Sequence, residues 1–186
     1  MEYFYHGSTV PGISTLEPRS NRNGSPVLYL TDHIPYALTY IWDGEKIGYQ
    51  RKHVTAYIKN GIAFYEEQFP DQLKTFYSGV SGYLYFAKKD SHAEILPEHD
   101  GIYFYRSKKQ VADYVFISDV YTELLKYEST GHFVVARFNE QSREKQNELV
   151  QKIAALLVKN DFYRTDPEKA AFYQKYFALA WEAAKV

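Results

Sequence analysis

Two stretches decide the reading of this chain: "YHGSTVPGISTLEP" (residues 5–18) and "VLYLTDHIPYALTYIW" (residues 27–42). Residues 2–5, "EYFY", read as a short aromatic strand, because aromatic side chains suit a pleated surface. His6-Gly7-Ser8 then stands at the end of that strand. Residues 19–26, "RSNRNGSP", form a polar loop punctuated by Gly and Pro. "VLYL" (27–30) reads as a buried strand, and Pro35 opens a helix that runs to about Trp42. The pattern thus sets Tyr29 on a strand and Tyr40 on the helix behind it.

Further along, the chain is rich in strands. "HVTAYIKN" alternates, with Val54, Ala56 and Ile58 on one face. Asn60-Gly61 then predicts a type I′ hairpin leading into "GIAFYEE". "PDQLKTFYSG" reads as a short helix ended by Gly79. "SGYLYFAKK", "GIYFYRS" and "DYVFISDV" are further strands; "VYTELLKYES" is a helix ended near Gly131; "HFVVARF" is another strand. After residue 140, Leu149, Ile153, Leu156 and Leu157 make a helical stripe. A second helix follows, with Thr165 and Glu168 as a capping box and Pro167 at its start; Tyr173, Tyr176, Phe177 and Ala180 share a face. The expectation is an α+β domain over 1–140 and a C-terminal helical hairpin over 141–186.

The composition excludes several classes of function. The chain has 186 residues, 19 Tyr, 12 Phe and no Cys. Disulfides, thiolate nucleophiles and cysteine metal sites are therefore absent. The net charge of −1 argues against a dedicated nucleic-acid binder, whose affinity comes from neutralised phosphates. "MEYFYHGS" carries no basic segment followed by an apolar run, and no apolar run approaches membrane length, so the expectation is a cytoplasmic protein with no membrane partner. His92, Glu94, Glu98 and His99 are metal-ligand types, but their spacing fits no zinc pattern and Pro97 interrupts them. Lys88-Lys89 and Ser107-Lys108-Lys109 read as solvated strand ends that could also meet phosphates.

His6-Gly7-Ser8 resembles the "HGS/HGT" element of the ADP-ribosyltransferase superfamily, in its poly-ADP-ribose-polymerase-like (diphtheria-toxin-like) branch. The resemblance extends to Gly12-Ile13, to Leu16-Glu17-Pro18, and to Tyr29 followed by the small Ala37 eight residues on and Tyr40 eleven residues on. It implies a split, antiparallel-rich sheet with flanking helices and an NAD co-substrate. It implies that Tyr29 and Tyr40 clamp the flat, cationic nicotinamide, an arrangement suited to cation–π attraction. It implies that the Gly7 backbone holds the carboxamide, that His6 binds a ribose hydroxyl, and that Ser8 binds the carboxamide or ribose. The branch's third element is a glutamate on a later strand, which stabilises the cationic sugar. Asp113, in "DYVFI" (113–117), is the best match here and is one methylene shorter.

Three functions follow from the resemblance. The first is an NAD-dependent ADP-ribosyltransferase acting on an unknown acceptor, with catalytic His6, Tyr29 and Asp113. The second is a catalytically silent module that binds NAD, ADP-ribose or a protein partner, since branches without the glutamate are either mono-ADP-ribosylating or silent. The third removes a 2′-phosphate from RNA with NAD; such a site grips phosphate with arginines, and Arg19, Arg22, Arg51 and Arg106 form no recognisable pattern for it.

Overall fold

The computed structural model describes residues 2–20, 24, 26–97 and 99–184. Arg22 and Glu98, named above, lie outside the described residues. The strands are β1 (Tyr3–Ser8), β2 (Thr15–Leu16), β3 (Arg19–Ser20), β4 (Pro26–Thr31), β5 (Thr55–Lys59), β6 (Ile62–Glu66), β7 (Gly82–Lys88), β8 (Glu94–Ile95), β9 (Ile102–Tyr105), β10 (Lys109–Gln110), β11 (Asp113–Ile117) and β12 (Phe133–Ala136). The helices are α1 (Ile34–Leu38), α2 (Gly44–Ile47), α3 (Gln72–Tyr77), α4 (Val120–Ser129), α5 (Arg143–Asn160), α6 (Phe162–Thr165), α7 (Pro167–Tyr176) and α8 (Ala178–Ala184). The fold is α+β, with antiparallel pairing in every registered ladder.

The chain divides into two compact units. The first holds the chain up to Trp42, Ala56–Tyr65 and Tyr77–Val134. Its main sheet has the order β11-β7-β1-β4-β9-β8, with β3 added to β4. One face buries Phe4, Leu16, Leu28, Leu30, Tyr85, Ala87 and Tyr105 as a continuous core. Full burial of each such side chain contributes about 1.5–3 kcal/mol. The hairpin between β5 and β6 turns where expected: Asn60 (φ 51°) and Gly61 (φ 74°) are both left-handed, as a type I′ turn requires.

The sheet is split between β1 and β4. β1 pairs with β7 over six residues, from Tyr3↔Lys88 to Ser8↔Tyr83. β4 pairs with β9 over four, from Leu28↔Tyr105 to Thr31↔Ile102. Between β1 and β4 the register records the single pair Tyr5↔Thr31. Beyond it the strands part, and His6-Gly7-Ser8 face Leu30-Tyr29-Leu28 across an opening.

The second unit comprises Asp43–Thr55, Glu66–Phe76 and the chain from Val135 onward. The helical part is thus not confined to 141–186: two excursions from the first half of the chain belong to it. The physical reason is aromatic. Phe172 stacks on Tyr49 (4.8 Å between ring centroids) and on Phe76 (6.0 Å), and Phe177 meets Phe69 (5.1 Å). Tyr173 shares a hydrogen bond with His53 Nε2 (2.9 Å), and the Tyr176 hydroxyl donates to the Ile47 carbonyl (3.1 Å). Two terminal helices alone could not have buried these rings. Glu67, 2 % exposed, accepts the N–H groups of Leu73 (3.0 Å) and Phe138 (3.1 Å).

Several local expectations need correction. Asp166, not Thr165, caps α7, accepting the Lys169 N–H; aspartate is an equally good acceptor one position closer to Pro167. The helix expected after residue 165 breaks at Phe177 into α7 and α8. Leu156 faces outward, and Ala154 takes its place in the buried stripe of α5. α1 ends at Leu38 rather than near Trp42, with the Thr39 hydroxyl donating to the Tyr36 carbonyl. Arg19–Ser20 forms a short strand where a loop was expected.

Candidate active site

Five tyrosines, Tyr65, Tyr77, Tyr85, Tyr105 and Tyr173, are wholly buried and structural. Tyr29 and Tyr40 are different. Tyr29 is 39 % exposed and Tyr40 43 % exposed, and both line one cleft of about 660 Å³ in the first unit. That volume suits a small-molecule ligand. The split between β1 and β4 forms its floor, with Tyr5, His6 and Gly7 on one side and Leu28–Thr31 on the other. Tyr36, Ala37 and Tyr40 come from α1 and the turn after it; Glu17, Arg19, His99 and Ile102 also contribute.

The register fixes which way each side chain points. Directly paired residues of an antiparallel sheet share a face, and neighbours alternate. Tyr5 pairs with Thr31, so Gly7, Tyr29 and Thr31 share one face and His6 belongs to the other. α1 packs on the Gly7 face: a Cβ built on Gly7 would lie 2.1 Å from the Ala37 carbonyl oxygen. Tyr29 and Tyr40 therefore stand on the same side of the sheet, as a clamp needs. His6 enters the split from the opposite side.

Backbone alternation adds a second feature. Lys89 N–H donates to Glu2 C=O, one step beyond the Tyr3↔Lys88 pair. Even-numbered residues of β1 thus turn their N–H and C=O toward β7, and odd-numbered residues turn theirs away. Phe86 agrees, since its carbonyl accepts Ala112 N–H on the β11 side and not on the β1 side. Gly7 consequently presents both a donor and an acceptor to the opening, where β4 has already diverged. A primary carboxamide needs that pair, and glycine is the residue that leaves it uncovered.

Electrostatics keep the site mainly neutral. Burial pushes the His6 pKa down, the Tyr29 backbone opposes this, and Arg19 adds to the lowering. His6 is therefore a neutral imidazole at pH 7, able to donate from one ring nitrogen and accept at the other. Burial raises Tyr36 and Tyr40, whose hydroxyls meet at 3.2 Å. The Tyr40 ring opens to the cleft while its hydroxyl is held by Tyr36.

Of the expected site residues, the structure brings together His6, Gly7, Tyr29, Ala37 and Tyr40. Two are placed elsewhere. The Ser8 hydroxyl accepts Val10 N–H (3.1 Å) and does not line the cleft. Asp113 opens β11, the outer strand beyond β7, where it pairs with Phe86 of β7. Three strand spacings separate β11 from β4, about 14 Å at ~4.8 Å each. Its carboxylate accepts Tyr114 N–H (2.8 Å) and does not line the cleft. The later strand that does border the cleft is β9, and its residue beside Thr31 is Ile102. Sequence reading passed over Ile102 because it sought an acid. Among the described residues no group of three or more His, Asp or Glu side chains could hold a metal ion, and no helix is long and apolar enough to cross a membrane. Compared with known proteins, the chain matches no family model, no curated protein and no solved structure.

Proposed function

We propose that the cleft binds NAD and that the protein is an ADP-ribosyltransferase, moving ADP-ribose to an acceptor and releasing nicotinamide. The observation that carries this reading is the pairing of two exposed tyrosines with the outward-turned backbone of Gly7 in one cleft. In the proposed reaction the bond between nicotinamide and ribose C1′ breaks, and its electron pair leaves with nicotinamide. The acceptor's nucleophile then bonds to C1′ and gives up its proton to solvent. Tyr29 and Tyr40 hold the departing ring, the Gly7 backbone orients its carboxamide, and neutral His6 binds a ribose hydroxyl. Asp113 has no part in this reading. Among the described residues, Glu17 is the carboxylate that lines the cleft.

A second reading is a silent NAD-binding module, and the apolar Ile102 on the cleft side of β9 favours it. Both readings require binding. Millimolar NAD at about one hundred times its Kd would add about 2.7 kcal/mol. That moves the midpoint of a chain this size by about 5–10 °C. The shift should vanish in a His6→Ala, Tyr40→Ala double variant. Absence of any shift in the native protein would sink both readings. Nicotinamide release that depends on His6 separates the enzyme from the binder.

A further inference from the structure

Tyr85 is wholly buried in the core of the first unit, yet its hydroxyl serves a loop at the edge of that core. It donates to the Val10 carbonyl (2.6 Å) and accepts the Ile13 N–H (3.3 Å). Two points of the loop at residues 10–13 are thus tied to one atom. Gly12, left-handed at φ 69°, turns the chain between them. The ring that carries the hydroxyl is itself held. Tyr83 stacks beside it with centroids 6.0 Å apart, and Tyr114 lies 5.9 Å away. The ends of the loop are fixed separately. Ser8 Oγ accepts the Val10 N–H (3.1 Å), and the Val111 N–H donates to the Ser14 carbonyl (3.0 Å).

The register sets this tie beside the candidate site. Tyr85 of β7 pairs directly with His6 of β1. The two side chains therefore share a face, with Cβ atoms about 4.5–5.5 Å apart. It is the face from which His6 enters the split, opposite Tyr29 and Tyr40. A loop bound to the Tyr85 hydroxyl lies on that side, and its Val10 and Ile13 line the same cleft as His6. Ile13 packs on the core beneath, while Val10 is 50 % exposed and forms the outer wall. Covering His6 has a chemical effect. Burial is the largest influence on the imidazole, and it disfavours the charged ring. The Tyr29 carbonyl works against burial, and Arg19 works with it.

We infer that Tyr85 is a positioning residue for the cleft: its hydroxyl straps the loop at residues 10–13 over His6 and keeps that imidazole covered and neutral for the ligand, a role that rests on the NAD reading only for the identity of that ligand.

Tyr85→Phe tests it, because the variant keeps the buried ring and removes both hydrogen bonds. A cooperative thermal transition verifies its fold. NMR titration of the imidazole C–H signals then follows His6 without any ligand. In the native chain His6 should titrate below 6.5; in Tyr85→Phe the midpoint should move up toward 6.5, since water reaches the ring while Arg19 and the Tyr29 carbonyl stay in place. A residue that only filled the core would lower stability and leave the His6 titration where it was. Hydrogen exchange gives a second readout. The Val10 amide bonds to Ser8 rather than to Tyr85, so it reports opening of the loop and not loss of its own partner. Its exchange should speed about tenfold, the worth of two hydrogen bonds. A second variant leaves Tyr85 untouched: two glycines inserted after Gly12 slacken the loop and should produce the same two changes, which decides the matter if Tyr85→Phe does not fold. The NAD-induced thermal shift should shrink in both variants. An unmoved His6 titration in a folded variant overturns the inference. So does an unchanged Val10 exchange rate, and so does an undiminished NAD shift in a chain whose loop has opened. A native chain with no NAD shift overturns the NAD reading instead, and the His6 titration still decides the strap.

Discussion

The Ala37 carbonyl oxygen occupies the place where a side chain on Gly7 would begin, 2.1 Å from an ideal Cβ. That oxygen already accepts Tyr40 N–H (2.9 Å), so it cannot turn away freely. Gly7→Ala should therefore force β1 and α1 apart. A loss of about 1–3 kcal/mol is expected, measured as the urea midpoint, together with loss of the NAD-induced thermal shift. An alanine variant that keeps both would show that the close approach is not needed.

Tyr40 separates a ring from a hydroxyl. Tyr40→Phe keeps the ring and removes the hydroxyl that meets Tyr36 at 3.2 Å. It should cost about 1 kcal/mol of stability and leave NAD affinity within twofold. Tyr40→Ala removes the ring as well and should weaken NAD about two- to thirtyfold, the range of cation–π contributions. Titration calorimetry on the two variants makes the comparison.

Asp113 lies three strands from the clamp, so Asp113→Asn should leave nicotinamide release within twofold of the native rate. His6→Ala should abolish it. A large loss in Asp113→Asn would return the aspartate to the mechanism and overturn the placement argued above.

The Asp32 carboxylate ties the end of β4 to its neighbours. It meets His33 Nδ1 (2.7 Å), Lys89 Nζ (3.2 Å) and the Tyr103 hydroxyl (3.1 Å). Burial works to raise its pKa, but His33 and Lys89 outweigh it and hold it at about 2. A carboxyl lowered from its ordinary value of 3.8 stabilises the fold above that value and loses the contribution as pH falls toward 2. For His33, the Asp32 hydrogen bond raises the pKa despite burial. Its contribution is full below 6.5 and is lost as pH rises through the raised value. Stability from this pair should peak between about pH 4 and 6.5. Asp32→Asn should flatten both limbs of the profile in denaturant titrations from pH 2 to 8.

Glu67 is the buried carboxylate of the second unit. Glu67→Ala would orphan the N–H groups of Leu73 and Phe138 together. At about 1–3 kcal/mol per buried donor, a loss of about 2–6 kcal/mol is expected for the two. Glu67→Gln keeps one acceptor and should recover about half of it. Chemical denaturation gives both numbers.

Elements whose patterns are local were legible in the sequence. The Asn60-Gly61 hairpin, the strands at 27–30 and 113–117, and the long helix ending near Asp161 all follow from turn chemistry or periodicity. Tyr29 and Tyr40 sit across a strand and the turn after the next helix, a local spacing; His6, on another strand, was joined to them only through the resemblance. Strand order is not local. Nothing in "DYVFI" announces that β7 intervenes between it and β1, whereas "GIYFY" pairs with β4 and brings Ile102 to the cleft. The second unit's recruitment of 43–55 and 66–76 was hidden for the same reason. Tyr49, Phe69 and Phe76 read as ordinary aromatics until Phe172 and Phe177 stand beside them.

That recruitment has a kinetic side. Tyr173 and His53 are hydrogen-bonded although 120 residues separate them along the chain. At synthesis rates of about 5–20 residues per second, the ribosome takes roughly 6–24 seconds to supply the second partner after the first. During that interval Tyr49, Phe69 and Phe76 lack the Phe172 and Phe177 rings that they meet in the folded protein. Closing such a loop also carries an entropy that local contacts avoid, which slows folding. The nascent chain must therefore pass through a state with its early aromatics unshielded, the kind of species that chaperones retain and that aggregates when crowded.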